Sequence, residues 1–372
     1  MSASRLLQPT GPKAWVDTAK GIAILLVVLY HSMLFMRSIG LQVDGMSRLK
    51  ILLELFPMPV FLFIAGLTHY RVLQWSLAAT WKRRLLGYLW LYVIWSVLRF
   101  AFYYVVPNVR ADGAGATATD PLALLAVLVW PINSYWFLLA LFVFTLVLQA
   151  VRRIPRSAAL IAAAALSTAV GSDVLTTTNV GWDRMAEYLL FFLLGAFFPQ
   201  EAFRRVGAAR TRTVVLTGAA YAVVALSTAI VPRAVHVPGV SLVGELAAVA
   251  FGTTLSVRLA RLRPLRFLGH VGARSLQVYL LHVFVIALAA AALILLPQLR
   301  AVPFGGLAIG TLLVPVAVIA SLALARLLDR APWLLVPPRR LVARLTSSAP
   351  ASTARSAPAR VRADGPGIGP QI

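Results

Sequence analysis

The sequence predicts an all-α fold: a polytopic integral membrane bundle of about ten transmembrane helices, with N- and C-termini cytoplasmic. Three observations predict it. The 372-residue chain is 60% hydrophobic and only 13% charged, with a mean hydropathy of +0.83. A soluble domain runs nearer about 45–50% apolar and about 25% charged, because it needs a polar skin. Apolar runs of the roughly 17–25 residues that a helix needs to cross hydrocarbon recur along nearly the whole chain. These runs lack the alternation in roughly ten-residue segments that marks an outer-membrane barrel. The absence of cysteine excludes disulfides, Cys–zinc sites, iron–sulfur clusters and thiol catalysis.

Taken in order, the spans fall at 17–36, 49–70, 85–106, 134–151, 157–172, 184–200, 213–231, 240–257, 274–296 and 304–327. The first run follows a 16-residue lead with no A-x-A-like cleavage site, so it reads as a retained span. Segment 121–130, between Pro121 and Pro131, is too short to cross and is expected at an interface or as a re-entrant piece. Residues 1–13 form a cytoplasmic lead. From about Pro337 the chain is rich in Pro, Ala, Ser and Arg without an apolar period, so 337–372 is expected to be a disordered basic cytoplasmic tail.

The net charge of +23 is an orientation signal, and no nucleic-acid partner is expected. With the N-terminus inside, the internal cytoplasmic loops carry Arg71, Lys82, Arg83, Arg84, Arg152, Arg153, Arg156, Arg204, Arg205, Arg210, Arg212, Arg258, Arg261, Arg263 and Arg266. The outside loops carry only Arg37, Arg48, Lys50, Arg110, Arg184, Arg233 and Arg300. That asymmetry places both termini in the cytoplasm.

Ionisable groups inside spans are costly and mark function, so the few present are the candidates. Lys20 and His31 are eleven residues apart in the first span, within about 20° of one helix face and roughly 16 Å along it. Asp17 lies one turn below Lys20. Depth at about 1.5 Å per residue places His31, Glu54, Arg99, Glu187 and Glu245 in one layer of the outer half. A layer holding a base, carboxylates and a cation suits proton transfer to or from a polar substrate. Structural readings stand beside these: Lys20 as a snorkelling anchor, Glu54–Arg99 as an ion pair, and Tyr279 and His282 as a helix–helix hydrogen bond. With no cysteine and five scattered histidines, no metal site is expected. Walker, G-x-S-x-G, H-E-x-x-H and dinucleotide motifs are absent.

The opening span, Asp17-Thr18-Ala19-Lys20-Gly21-Ile22-Ala23-Ile24 through Tyr30-His31, resembles the first helix of the acyltransferase 3 family, especially its fucose 4-O-acetylase-like branch. Many members carry Arg-x10-His there; this chain has Lys20-x10-His31. Phe56-Pro57-Met58-Pro59-Val60-Phe61-Leu62-Phe63-Ile64-Ala65-Gly66-Leu67 is similar to the family's P-x-F-F-I-S-G segment, with Ala65 where Ser is usual. Tyr135-Trp136-Phe137-Leu138 and Gly272-Ala273-Arg274-Ser275 through Tyr279-Leu280-Leu281-His282 match later landmarks. The resemblance covers a transmembrane domain at 14–330.

What the resemblance implies is transfer of an acyl group, usually acetyl, from acyl-CoA to a hydroxyl of a cell-envelope carbohydrate or glycolipid, in a bacterial plasma membrane. Its partners would be acyl-CoA, the glycan or glycolipid acceptor and membrane lipid, with acetyl-CoA a co-substrate and no cofactor tightly bound. His31 is expected as base or acyl carrier, Glu54 as the group orienting its imidazole, and Arg99 as the stabiliser of the oxyanion. Arg83 and Arg84 are expected on the CoA phosphates, Lys20 in the donor channel, and Trp136, Glu187, Glu245 and His282 on the acceptor. The competing expectation is a transporter or flippase of a lipid-linked sugar or other polar envelope precursor.

Overall fold

The structure, a computed structural model, describes residues 14–43, 52–106, 109, 118–131, 133–338 and 340–343. The expected lead 1–13, the loop cations Arg48, Lys50 and Arg110, and nearly all of the expected tail lie outside the described residues. The chain divides into two units. Met1–Pro337 holds the bundle, and in Pro338–Ile372 residues 340–343 form a single helical turn.

Each of the ten expected spans contains a helix among its described residues. In lipid no water satisfies a backbone N–H or C=O, so apolar segments must close their hydrogen bonds internally. α1 (Ala14–Ser38) does so for 25 residues and ends at Gly40, whose φ is 83°. Around that glycine Gly40 N donates to Arg37 O at 3.1 Å and Leu41 N to Met36 O at 3.0 Å. This is a Schellman ending, which requires the left-handed conformation that glycine adopts without strain. α2 (Pro57–His69) opens on Pro57, whose missing N–H is an orphan at a helix start anyway.

After the Ser76-capped turn Leu77–Thr80, the chain winds Trp81–Leu85 as a π turn and runs on into α3 (Leu86–Val105). Asp120 caps the short α4 (Pro121–Ala126), which sits within the segment judged too short to cross. There follow α5 (Trp136–Ala150), α6 (Arg156–Gly171), the Asn179-capped α7 (Val180–Phe197) and α8 (Pro199–Gly207). On α8 Arg204 and then Arg205 hydrogen-bond Glu201 and hold its carboxyl below the usual range. The chain ends its bundle with α9 (Thr211–Ile230), α10 (Val240–Leu259), α11 (Arg266–Ala273), α12 (Ser275–Ile294) and α13 (Gly305–Leu328).

Eight helices among the described residues are long and apolar enough to cross a membrane. The other two expected spans are special. α6 is 16 residues, about 24 Å long and shorter than the hydrocarbon core. α7 carries Asp183, Arg184 and Glu187, which lower its hydropathy for a reason taken up below.

α1 is the central strut, packed against α2, α10, α11, α12 and α13. Bare backbone sets the position of one of these neighbours, α11. A Cβ on Gly272 of α11 would stand 1.7 Å from Asp17 O, and one on Gly21 would stand 2.0 Å from Leu268 O. α11, which the sequence reading left in a loop, therefore docks helix-to-helix on the start of α1. The α2–α7 crossing is equally close: a Cβ on Gly66 would meet Phe192 O at 2.1 Å, and one on Gly195 would meet Phe63 O at 2.1 Å. α2 and α7 are thereby held in register, with Glu54 and Arg184 at the same end.

Candidate active site

α1 and α12 bring two imidazoles together in the bundle interior. His282 is fully buried and its Nδ1 lies 2.9 Å from Val278 O. Its Nε2 lies 3.2 Å from Nδ1 of His31, and that same Nδ1 is 3.0 Å from Val27 O. A carbonyl only accepts, so both Nδ1 atoms carry protons. His282 thus donates to Val278 O and accepts at Nε2 from His31. In the neutral ring of His31 the lone pair is then on Nε2. The arrangement fixes a tautomer and an orientation through two helices, and the rings meet edge-on with centroids 5.0 Å apart.

Beneath this pair runs a cavity of about 370 Å³. Its mouth is made by the start of α1 (Lys20), the end of α2 (Thr68, His69), the approach to α3 (Arg84) and the start of α12 (Ser275). Farther in it is lined by Met58, Phe61, Leu138 and Leu141, and it reaches Val27 and Tyr279, one turn from His31 and His282. Charge is confined to the mouth. Lys20 pairs with Asp17 at 2.7 Å, and Arg84 donates to Thr68 O at 3.4 Å. His69 donates from Nδ1 to Ala65 O at 2.6 Å and accepts from the Tyr88 hydroxyl at 2.8 Å, forming a buried polar wall beside Arg84.

A second cavity, about 330 Å³, enters from the opposite end of the bundle. The end of α6, the starts of α7 and α10, and Glu54 before α2 form it. Arg184 organises its floor: it reaches Glu54 Oε1 at 2.9 Å, Glu187 Oε2 at 2.8 Å and the Tyr188 hydroxyl at 3.1 Å. At the rim His236 pairs with Asp173 at 2.8 Å, while Asp183 accepts from the Thr176 and Thr177 hydroxyls. Tyr30 joins this cavity to the histidines. Its hydroxyl donates to Glu54 Oε1 at 3.4 Å, and its ring lies edge-on to His31 at 5.6 Å.

Several expected residues converge here and others do not. Lys20 and Arg84 line the first cavity, and Glu54, Glu187 and Glu245 line the second. Arg83 does not join Arg84. It is exposed and lies over Trp75 at 4.9 Å, since consecutive residues on a helical turn point to different sides. Glu54 forms its ion pair with Arg184 and not, as the sequence suggested, with Arg99. Nδ1 of His31 is occupied by Val27 O and His282. Arg99 is buried over Tyr103 at 5.0 Å and lines a separate hollow of about 20 Å³ with Ser96 and Asn133. Trp136 is not among the residues lining the second cavity; its ring lies tilted against that of Tyr188, which does line it, with centroids 6.4 Å apart.

A family profile described as an acyltransferase domain matches residues 13–326. The chain belongs to the acyltransferase 3 family. No characterised protein and no solved structure matches it. Membership makes the bundle a membrane acyltransferase.

Three residues of this acyltransferase's cavities escaped the sequence reading. Arg184 opens its span and was counted as a loop cation; its signal was the Arg184-x2-Glu187 spacing, one turn on a helix. His69 closes its span beside the basic loop, where a histidine looks like an interfacial residue. Tyr30 precedes His31 and is indistinguishable in sequence from the other aromatics that line apolar helices.

Proposed function

We propose that this acyltransferase moves an acyl group from acyl-CoA to a hydroxyl of a cell-envelope carbohydrate or glycolipid, the donor and acceptor reaching His31 from opposite ends of the bundle. The observation that carries this reading is that the His31–His282 pair lies one turn from Val27 and Tyr279 of a basic-mouthed apolar cavity and is linked through Tyr30 to Glu54 of a polar acidic one. The first suits a thioester whose phosphates stay among Lys20 and Arg84 while its uncharged arm lies against apolar walls. The second suits a hydroxyl-rich molecule, which needs many hydrogen-bond partners at fixed positions.

In the reaction, the acceptor hydroxyl oxygen forms a bond to the thioester carbonyl carbon as its proton passes to Nε2 of His31. The tetrahedral intermediate collapses by breaking the C–S bond, and the His31 imidazolium returns the proton to the departing thiolate. The Nε2 lone pair of His282 holds the Nδ1–H of His31 throughout, the part a carboxylate plays in hydrolase triads. His282 acts through His31 and is a positioning residue. Glu54 acts one step farther out, through Tyr30 and Arg184.

The test is transfer of radiolabelled acetyl from acetyl-CoA to extracted envelope glycan or glycolipid by the purified chain in lipid nanodiscs. Label appearing in the acceptor with wild type and absent with His31→Gln is the expected result. Equal labelling by a well-folded His31→Gln protein refutes the base assignment.

A further inference from the structure

The second cavity has an excess of negative charge that its own residues do not neutralise. Five carboxyl groups line it, from Glu54, Asp173, Asp183, Glu187 and Glu245, with one proton shared between Glu187 and Glu245, against the single guanidinium of Arg184 and the imidazole of His236. Four of the five are engaged: Glu54 and Glu187 share Arg184, Asp173 has His236, and Asp183 has the two threonine hydroxyls. Glu245 is engaged on one side only: it shares a hydrogen bond, and with it a proton, with Glu187. It is 1% exposed, and its Oε2 has no hydrogen-bond partner.

A buried carboxylate oxygen without a donor is costly, and groups of this kind are retained where a ligand supplies what is missing. The missing group is a hydrogen-bond donor. A cation is favoured over a neutral hydroxyl, because a low-dielectric cleft lined by one sign of charge concentrates the opposite sign and repels its own. A metal ion is not the fit: among the described residues no three carboxylates or imidazoles converge closely enough to hold one. Space in the same cavity is kept beside Glu187 and Ser241 by Gly171, where an added Cβ would press on Ser241 Cβ at 3.2 Å and Glu187 Oε1 at 3.3 Å.

Resting on the reading of this cavity as the acceptor site, we propose that the acceptor carries a protonated amine, an amino sugar or an aminoacyl group, whose N–H donors seat on Glu245. The amine is a handle and stays unmodified; the ester forms on a hydroxyl elsewhere on the same molecule. An acceptor bearing carboxylates or phosphates near this point is rejected by the same field.

Methyl glucosaminide, its N-acetyl derivative and methyl glucuronide are the probes, measured against the full chain in nanodiscs. Equilibrium binding is followed by calorimetry with no acyl-CoA present. The free amine is expected to bind about tenfold or more tightly than the N-acetyl compound, the worth of one charge-assisted hydrogen bond, with the glucuronide weakest. Glu245→Gln is expected to abolish that preference. Gly171→Val, which fills space in the same cavity beside Glu187 and Ser241, is expected to weaken all three, so a misfolded Glu245 variant does not decide the matter alone. Equal binding of amine and N-acetyl probes, or a preference that survives Glu245→Gln, overturns the proposal. The underlying reading fails differently: the amine binds as expected, yet no label from acetyl-CoA reaches any of the three. Label recovered as an alkali-stable amide overturns the assignment of the amine as a handle.

Discussion

His31 and His282 are 251 residues apart in the chain and 3.2 Å apart in the fold. Each stood out in the sequence for the same reason, the cost of an imidazole inside a membrane span. Their pairing did not, because nothing in local spacing says which faces of two distant helices meet. The consequence is testable through the hydrogen bond. Replacing His282 with Gln keeps an acceptor near the position of Nε2; replacing it with Leu leaves the Nδ1–H of His31 without that partner. We expect His282→Leu to lower kcat for acetyl transfer by about 10²-fold, in line with a misplaced base. His282→Gln should retain most of the lost rate, and both should leave the KM for acetyl-CoA near wild type. Equal loss in the two variants would assign His282 to packing alone. At the cavity mouth the contrast is between neighbours. Arg84 lines the cavity and Arg83 lies over Trp75 outside it. Arg84→Gln should raise the KM for acetyl-CoA about tenfold, the worth of a charge-assisted phosphate contact, and Arg83→Gln should change it little, as expected of an exposed charge. The sequence could not separate the two, since a basic loop is demanded by topology and a π turn leaves no mark in the amino-acid pattern.

Among the elements, the glycines explain how helices bearing mostly featureless apolar residues reach a defined arrangement. Without a hydrophobic drive between helices in lipid, close backbone approach and packing select the partners. Gly66 on α2 and Gly195 on α7 meet across such an approach. Gly87, on α3, has nothing within 4 Å of the place its Cβ would take. Gly66→Ala should therefore lower the melting temperature of the detergent-solubilised protein, with a cost of about 1–3 kcal/mol for forcing the helices apart. Gly87→Ala should leave it unchanged or raise it by up to about 1 kcal/mol, since alanine is the better helix former. A matched response of both variants would show that the crossing is not set by Gly66. All ten helices were legible because apolar length is a local property. The docking of α11 on α1 through Gly272 and Gly21 was not, because a short helix outside the apolar runs reads as a loop.

For the whole molecule, the outward face of α9 decides what surrounds the bundle. Of its 20 residues only Ala225 and Thr228 are buried, while Val215, Leu216, Val223, Leu226 and Ile230 are exposed. None of the described residues covers this face, and a bilayer is the solvent in which it is stable. At about 30 Å, α9 is long enough to hold Ala208 and Val237 on opposite sides of the membrane. The absence of cysteine from the chain makes the prediction clean: each single substitution introduces the only thiol. With an impermeant maleimide on intact cells, Val237→Cys should label at once, and Ala208→Cys only after permeabilisation. Labelling of both in intact cells would mean that α9 does not cross, and the reverse pattern would invert the topology. The orientation then settles which substrate can reach which cavity. Lys20 and Arg84 open on the same side as Ala208, and Asp173 and His236 on the same side as Val237. A donor made in the cytoplasm can enter only if Ala208 is the protected site, so the positive charge that orients the chain also decides from which side the acyl group is supplied.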